Sequence, residues 1–239
     1  MHQLFARYVG IDWNDGGALI ESGHATEEKL RRSLVRFGKA LYRLGFTPGC
    51  AGNLSVRIGP SQILATPTGC GKYLLRPDDM VVVSLDGSHV SGSRRVTSEI
   101  GMHLAIYQVR DDVNAVVHAH PPIATAFACA GKALDDPLCA EALMTLGPVP
   151  LAPYATTGTD EVAESLTALI PNHSAILMAN HGVVTYGTDL FDAFSKMETV
   201  EHFANICLVA HQLGSPRTLG KPAVEELLKA RVRYTQNIR

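Results

Sequence analysis

The stretch NAVVHAH, residues 114–120, lies near the middle of the chain and joins small and β-branched residues to two histidines. Its short apolar run predicts a buried strand over residues 115–120. Because side chains alternate between the two faces of a strand, His118 and His120 lie on the same face. Two imidazoles on one face can bind one divalent ion, with bonds of about 2.0–2.1 Å to Zn²⁺. The stretch therefore predicts a core strand that carries two ligands of a metal site.

A second apolar run, AILM at residues 175–178, predicts another strand, and His181 and Gly182 follow it closely. His181 is the natural third ligand, since a glycine beside it lets backbone or ligand approach closely. Three protein ligands with one open position are typical of catalytic zinc sites. On spacing alone, a hydrogen-bonded pair of histidines at a strand end remains an alternative to a metal site.

The remaining pattern indicates an α/β chain. A helix is predicted over residues 26–44, with Thr26 as its N-cap, followed by strands over 54–58, 62–65 and 81–85. Further helices are predicted over 98–109, 123–130, 160–170, 190–213 and 223–233, with a strand near 149–151. Strands with helices on both sides predict a central sheet covered in layers. We expect one domain over residues 1–239, with the first 25 or so residues and the C-terminal tail peripheral.

Composition narrows the class of protein. The 239 residues are 46% hydrophobic and 18% charged, and the formal net charge is -2, which gives no basic surface for nucleic acid. We find no apolar run of about 18 residues and therefore expect no membrane span. Asp12 and Asp15 interrupt the N-terminus where a signal peptide needs an apolar core, and the five cysteines are widely spaced without a CxxC pair. Reduced thiols in a cytoplasmic protein are expected.

The stretch TPTGCGK, residues 66–72, has the small residues, hydroxyls and lysine that are typical of an anion-binding loop. Backbone N–H groups, Thr68 and Lys72 would face a phosphate there. The stretch is too short for the nucleotide-binding pattern GxxxxGK[ST], so nucleotide binding is not indicated. An ordinary turn remains the alternative.

Two further clusters contain polar groups. Thr97 and Ser98 precede Glu99 at a predicted helix start, where capping and phosphate binding are both possible. A carboxylate beside a metal can also ligate it or move protons. Asn53, at the start of a predicted strand, can stabilise a turn or bind an anion. From spacing alone, capping and turn formation are the favoured explanations of these residues.

Taken in order, these motifs resemble those of the class II aldolase/adducin family, over residues from about 27 to about 235. The motifs are Gly52-Asn53-x-Ser55, Thr66-Pro67-Thr68-Gly69, Thr97-Ser98-Glu99, His118-x-His120 and Asn180-His181-Gly182. The resemblance implies a three-layer αβα sandwich with a mixed, largely antiparallel sheet, and a homotetramer with active sites between subunits. Members of this family include aldolases and epimerases that act on phosphorylated sugars.

The resemblance also implies roles for particular residues. His118, His120 and His181 would bind Zn²⁺, or another divalent metal such as Mn²⁺ or Co²⁺, and Glu99 would transfer a proton. The substrate phosphate would be held by Asn53, Thr68, Gly69, Lys72, Thr97 and Ser98. Of these, Lys72 is more similar to the branch of the family that contains phosphosugar decarboxylases.

The implied activity is a retro-aldol cleavage of a phosphorylated ketose through a metal-stabilised enediolate, giving dihydroxyacetone phosphate and an aldehyde. Alternatives are decarboxylation of a phosphorylated oxo-acid, epimerisation of a sugar phosphate, and a non-catalytic adducin-like interaction module. The sequence departs from the aldolases because residues 133–143 contain no tyrosine and have Cys139 near the expected position. Thr157 stands where an aromatic residue is expected, and Tyr234 is similar to a catalytic tyrosine of the family's C-terminal tail.

Overall fold

The first predicted helix forms as its sequence indicates. The computed structural model describes the backbone of residues 26–237 and the side chains of residues 26–231. Helix α1, Glu27–Arg43, begins at Thr26, whose hydroxyl accepts the backbone N–H of Lys29 at 3.4 Å. Leu34, Phe37 and Leu41 recur at helical spacing and are fully buried, so α1 is held by one apolar face.

Eight strands form one sheet in the described part of the chain. They are β1 Asn53–Arg57, β2 Gln62–Ala65, β3 Val81–Ser84, β4 His89–Ser91, β5 Ala115–Ala119, β6 Leu151–Ala152, β7 Ala175–Met178 and β8 Gly182–Gly187. Their order across the sheet is β4-β3-β2-β1-β5-β8-β7-β6. Every neighbouring pair is antiparallel except β6 and β7, which are parallel.

The other helices cover both faces of this sheet. They are α2 Ile100–Val109, α3 Pro122–Cys129, α4 Ala140–Thr145, α5 Glu161–Leu166, α6 Leu190–Leu213 and α7 Lys221–Asn237. One core cluster packs α1, α3 and α6 against one face, and a second packs α2 and α5 against the other. Because both faces are covered, strands β5, β7 and β8 consist mostly of buried apolar residues rather than of alternating apolar and polar ones. The predicted α/β sandwich with a largely antiparallel central sheet is confirmed.

The central strands β1, β5 and β8 set the geometry of the molecule. His118 on β5 lies opposite Asn53 on β1 and opposite Val184 on β8. The turn before β1 approaches β5 closely, since a Cβ added to Gly52 would lie 2.7 Å from the His118 carbonyl oxygen. The φ of +71° at Gly52 also favours glycine. Three polar motifs that are far apart in sequence therefore meet at one end of adjacent strands.

Several boundaries differ from the sequence-based expectation. Strand β8, strand β4 and helix α4 were not predicted, and the helix expected from residue 98 begins only at Ile100. The strand expected near residues 149–151 is Leu151–Ala152, and the helix expected to reach residue 170 ends at Leu166. Strand β8 was missed because Gly182 and Gly187 bound a short run, and its pairing with β5 and β7 decides its conformation. None of the described helices is long and apolar enough to cross a bilayer. One domain over residues 1–239 stays a prediction, since residues 1–25 and 238–239 lie outside the described range.

A carboxylate of α6 caps helix α3, which begins two residues after His120. Glu201 accepts the backbone N–H of Ile123 at 2.9 Å and that of Ala124 at 2.8 Å. These amides belong to the first turn of α3, where N–H groups have no partner within the helix. A negative charge also interacts favourably with the positive end of the helix dipole. Glu201 therefore fixes the start of α3, and with it the chain that leaves the histidine pair.

We predict that Glu201→Ala lowers the free energy of unfolding by about 1–3 kcal/mol, because two amides lose a charged acceptor. Urea unfolding followed by circular dichroism measures this. Glu28→Ala removes an exposed carboxylate that pairs with Arg32 on the surface of α1, and it should cost less than about 0.5 kcal/mol. Equal stability of Glu201→Ala and wild type would show that the cap has no role in holding α3.

Candidate active site

Three histidines converge at the end of the central strands. His118 is the fourth residue of β5 and is fully buried, His120 follows the strand, and His181 lies in the turn between β7 and β8. One ring nitrogen from each lies within 4.8 Å of the others, and Nε2 of His118 is 3.0 Å from Nε2 of His120. The structure therefore brings together the three side chains predicted as metal ligands.

The sheet fixes the protonation of His118. Its Nδ1 lies 2.9 Å from the carbonyl oxygen of Val183 on the neighbouring strand β8. A carbonyl only accepts, so Nδ1 carries the proton and Nε2 presents a lone pair to the cluster. Burial, together with the two neighbouring imidazoles, lowers the pKa of His118 to about 3, so the ring is neutral at pH 7. A neutral imidazole with its second nitrogen bound to a carbonyl is the usual form of a metal ligand.

The turn that carries His181 needs a small residue and an unusual backbone conformation. Asn180 has φ of +56°, in the left-handed region that asparagine tolerates better than most residues. A Cβ on Gly182 would lie 2.5 Å from Cδ2 of His120 and 2.7 Å from the carbonyl oxygen of Ala119. The hairpin therefore approaches β5 closely because residue 182 is glycine, which was the reason given for predicting His181 as the third ligand.

The carboxylate of Glu99 lies against the same cluster. Its Oε2 is 3.3 Å from Nε2 of His118, and its Oε1 is 3.0 Å from Nε2 of His181. Asn53 donates from Nδ2 to Oε2 at 2.8 Å. Burial alone would raise the pKa of Glu99, but the two histidines and the amide of Asn53 outweigh it and hold that pKa well below its usual range. Glu99 is therefore ionised at neutral pH, with its charge directed at the histidines.

The helix beside Glu99 begins differently from the prediction. Glu99 is itself the residue before the first turn of α2, rather than a member of that turn, and its side chain makes no capping bond. Thr97 instead accepts the backbone N–H of Glu99 at 3.3 Å. Because the Glu99 side chain does not cap its own helix, it is available to the histidine cluster.

Hydrogen bonds join the three predicted phosphate-binding motifs. Thr66 accepts the N–H of Leu54 through its side chain at 3.1 Å, and its carbonyl accepts the N–H of Thr97 at 3.2 Å. Thr68 and Gly69 are exposed beyond this junction, and Gly69 has φ of +65°. Exposed Ser98 follows buried Thr97 on the neighbouring segment. The three motifs are therefore joined to one another by hydrogen bonds, and their binding of phosphate stays a prediction.

Lys72 has a more internal position than the phosphate-facing one predicted for it. Only 1% of the residue is exposed, and Nζ donates to the carbonyl oxygens of Cys70 at 3.0 Å and Cys50 at 3.4 Å. Burial lowers the pKa of Lys72, while nearby Cys70, Cys50 and Glu99 act in the opposite direction. The ammonium thus links the loop before β1 to the loop after β2 through two hydrogen bonds. Its third hydrogen is the one that could be donated to an anion.

The sequence reasoning missed the contacts of His103. Its Nε2 lies 2.5 Å from Oδ1 of Asn53, on the side of that amide opposite Glu99. The available signal was the four-residue spacing of Glu99 and His103, which places both on one face of a helix. Tyr234, predicted as a catalytic residue, lies in α7, but its side chain is outside the described residues.

The donor set fits a divalent cation. Three imidazole nitrogens suit Zn²⁺ and related ions. Within the described structure, Oε1 of Glu99 is buried and accepts no aligned hydrogen bond, although it lies close to His181. A buried carboxylate oxygen without an aligned donor carries a negative charge that a cation would neutralise. The three histidines can therefore hold a divalent metal, with Glu99 beside it.

The layered αβα fold thus brings three convergent histidines and an ionised carboxylate together in one candidate metal site. Residues 32–208 match the family described as Class II Aldolase and Adducin N-terminal domain. This match spans most of the chain, and the chain belongs to this family as an aldolase-type lyase. The family resemblance inferred from the motifs is confirmed.

Similar proteins agree with this assignment. The chain is 34% identical over 211 residues to 5-deoxy-D-ribulose 1-phosphate aldolase of Bacillus thuringiensis serovar kurstaki, covering 87% of this chain and 98% of that protein. It is 35% identical over 188 residues to 3-oxo-tetronate 4-phosphate decarboxylase of Escherichia coli, covering 77% of this chain and 88% of that protein. The solved structure of an L-fuculose 1-phosphate aldolase matches with a TM-score of 0.81 and 33% identity, covering 88% of this chain and 99% of that chain.

We predict that His120→Ala binds less than one divalent ion per chain, because two remaining imidazoles form an incomplete ligand set. Inductively coupled plasma mass spectrometry on protein purified without chelators measures the metal. His202→Ala, on the exposed surface of α6, is the matched control and should keep the wild-type metal content. Wild-type protein without stoichiometric metal would overturn the assignment of the three histidines as ligands.

Proposed function

We propose that the protein is a zinc-dependent lyase that cleaves a phosphorylated ketose by a retro-aldol reaction, releasing dihydroxyacetone phosphate and an aldehyde. The observation that carries the proposal is Glu99, which lies between His118 and His181 at 3.3 and 3.0 Å. A proton-transferring carboxylate directly beside a metal site suits a reaction in which charge develops next to a carbonyl. Its aldolase relatives are named for phosphorylated sugars, which supports a phosphorylated substrate.

The reaction needs one proton removed and one returned. The hydroxyl proton of the substrate leaves, the neighbouring carbon–carbon bond breaks, and its electron pair moves to the carbonyl to form an enediolate. A divalent ion on the three histidines supplies a Lewis acid that stabilises this negative charge. Glu99 takes up the hydroxyl proton as the carbon–carbon bond breaks and then gives it to the carbon of the enediolate, which returns the carboxylate to its ionised form. Its low pKa favours release of that proton.

The loops beside the cluster would hold the substrate phosphate. Thr68, Gly69 and Ser98 are exposed at the edge where the three motifs meet. Buried Lys72 adds a positive charge to the same loops. A phosphate anchored away from the reacting carbons fixes the orientation of the ketose and lowers the entropy lost in the reaction step.

Decarboxylation of a phosphorylated oxo-acid is the second candidate. It is favoured by the 33–35% identity to proteins named 3-oxo-tetronate 4-phosphate decarboxylase. Loss of carbon dioxide leaves the same kind of enediolate, so the same histidines and Glu99 would serve. An adducin-like interaction module would have no need of this set, whereas the full set of histidines and Glu99 is present here.

We extend the proposal to assembly and location. The family resemblance supports a homotetramer with active sites between subunits, and the composition supports a cytoplasmic protein. Residues 1–239 would form one domain, with Tyr234 in its C-terminal helix acting as a second proton donor or acceptor. The resemblance likewise supports zinc as the metal, with Mn²⁺ or Co²⁺ as alternatives.

A substrate panel separates the two candidate reactions. Zinc-loaded protein is assayed with several ketose 1-phosphates in a coupled assay for dihydroxyacetone phosphate, and with phosphorylated oxo-acids in an assay for carbon dioxide. We expect turnover of at least one ketose 1-phosphate. Release of carbon dioxide without any dihydroxyacetone phosphate would favour the decarboxylase over the aldolase. No product in either assay would contradict the proposed function but would not affect the conclusion on metal binding.

We predict that Glu99→Gln keeps its metal and loses kcat by about 10²–10⁴-fold, because an amide cannot take up and return the proton. Glu28→Gln, on the exposed face of α1, controls for the loss of one carboxylate and should leave kcat unchanged. Steady-state kinetics and metal analysis on the same preparations measure both effects. Wild-type kcat in Glu99→Gln would remove the proposed role of this carboxylate.

A further inference from the structure

Behind the candidate active site, a line of buried polar side chains runs from Glu99 into the interior. Asn53 contacts Glu99 on one side and His103 on the other. Nδ1 of His103 is 2.7 Å from the hydroxyl of Ser55, and that hydroxyl is 2.9 Å from the hydroxyl of Tyr107. Asn53, Ser55, His103 and Tyr107 are each at most 3% exposed. Four protein side chains therefore form one hydrogen-bonded chain that ends on the carboxylate.

This series of hydrogen bonds forms because strand β1 and helix α2 lie side by side and the spacing of their polar side chains is nearly the same. Asn53 and Ser55 are two residues apart on the strand, a distance of about 6.8 Å along it. His103 and Tyr107 are four residues apart on the helix, about 6.0 Å along its axis, and Glu99 precedes His103 by the same step. The two elements therefore present their polar side chains in register, alternately from the strand and the helix.

Each hydrogen bond in the chain has only one possible direction. The amide nitrogen of Asn53 donates to the Glu99 carboxylate, so the amide oxygen faces His103. That oxygen only accepts, so Nε2 of His103 carries the ring proton and Nδ1 is an acceptor. Ser55 must then donate to His103, and Tyr107 must donate to Ser55.

Burial fixes these directions of the hydrogen bonds. Burial lowers the pKa of His103 to about 4, so the ring is neutral at pH 7 and exists as one of two tautomers. The other tautomer would place the Nε2 lone pair against the Asn53 oxygen, so that two buried acceptors would face each other without a proton between them. Unmatched polar groups in the interior cost about 1–3 kcal/mol each, which is enough to select one arrangement.

We infer that His103, held by Ser55 and Tyr107, is a positioning residue that acts through Asn53 to aim the carboxylate of Glu99 at the histidine cluster. Without the proton on Nε2 of His103, the Asn53 amide could rotate and turn its oxygen toward Glu99, where two acceptors would repel. The catalytic consequence rests on the proposed function, in which Glu99 transfers the proton. The orientation of Asn53 does not depend on it.

The first test compares three variants by steady-state kinetics. His103→Leu removes the donor to Asn53, and we expect kcat to fall about 10–100-fold with a smaller change in KM. Losses of this size are typical of residues that fix the orientation of a functional side chain through a hydrogen bond. His103→Gln keeps an N–H group in the place of Nε2 and should recover most of that loss. Thr185→Val is the matched control, because it removes a buried hydrogen bond to the Ala193 carbonyl that is no part of the series from Glu99 to Tyr107, and its kcat should equal that of wild type.

The second test needs no activity and works on wild-type protein. Nuclear magnetic resonance of protein labelled with ¹⁵N-histidine distinguishes protonated from unprotonated ring nitrogens, and the His103 signals are assigned by their loss in His103→Gln. We expect a neutral ring with its proton on Nε2. With ¹⁵N-asparagine labelling, the Asn53 side-chain signal should shift in His103→Leu and stay in place in Thr185→Val.

The outcomes are separable from those of the proposed function. A proton on Nδ1 of His103, a charged ring at pH 7, or an unshifted Asn53 signal in folded His103→Leu would each overturn the inference. Wild-type kcat in folded His103→Leu would do the same, and so would a His103→Gln variant as impaired as His103→Leu. If wild-type protein turns over no substrate, the proposed function fails, and the two labelling experiments still decide the orientation of Asn53.

Discussion

The antiparallel pairing of β1, β5 and β8 is the constraint on which the rest of the site depends. It places Asn53 opposite His118 and lets the Val183 carbonyl accept the proton of His118 Nδ1. Backbone hydrogen bonds that hold the sheet thus also fix which nitrogen of a buried histidine is free to bind a metal. A shift of one residue in this register would turn His118 to the other face of the sheet and remove the cluster.

A buried negative charge is the second consequence of this geometry. Glu99 is largely withdrawn from water, and an isolated carboxylate in that position would take up a proton. Two imidazoles and the Asn53 amide keep it ionised instead. The same arrangement leaves one carboxylate oxygen without an aligned donor among the described residues, and a cation held by the histidines would neutralise its charge. This unmatched oxygen links the stability of the site to the ion that the histidines can hold.

Much of the fold follows from local patterns. Helices α1 and α6 and strands β2 and β7 lie within one residue of their predicted bounds, because their apolar periodicity is long or their turns are marked by glycine and proline. Strand β8 and helix α4 are short, and their conformations depend on neighbours rather than on their own residues. The start of α2 was placed too early for a related reason: Thr97 and Ser98 look like caps, yet they belong to a loop that is bonded to Thr66.

The sequence by itself determined the identity of the three histidines, the carboxylate and the family, because these depend on residue types and their order along the chain. Only the tertiary structure decided how Glu99 is aimed and which buried groups stand behind it. Its partners come from a strand and a helix about fifty residues apart, and the directions of their hydrogen bonds are set by packing. Lys72 illustrates the same limit, since its charge suggested a phosphate, but only the structure shows that two of its three ammonium hydrogens are donated to backbone carbonyls. Residue types can be read from a sequence, whereas donor and acceptor directions exist only after distant segments pack together.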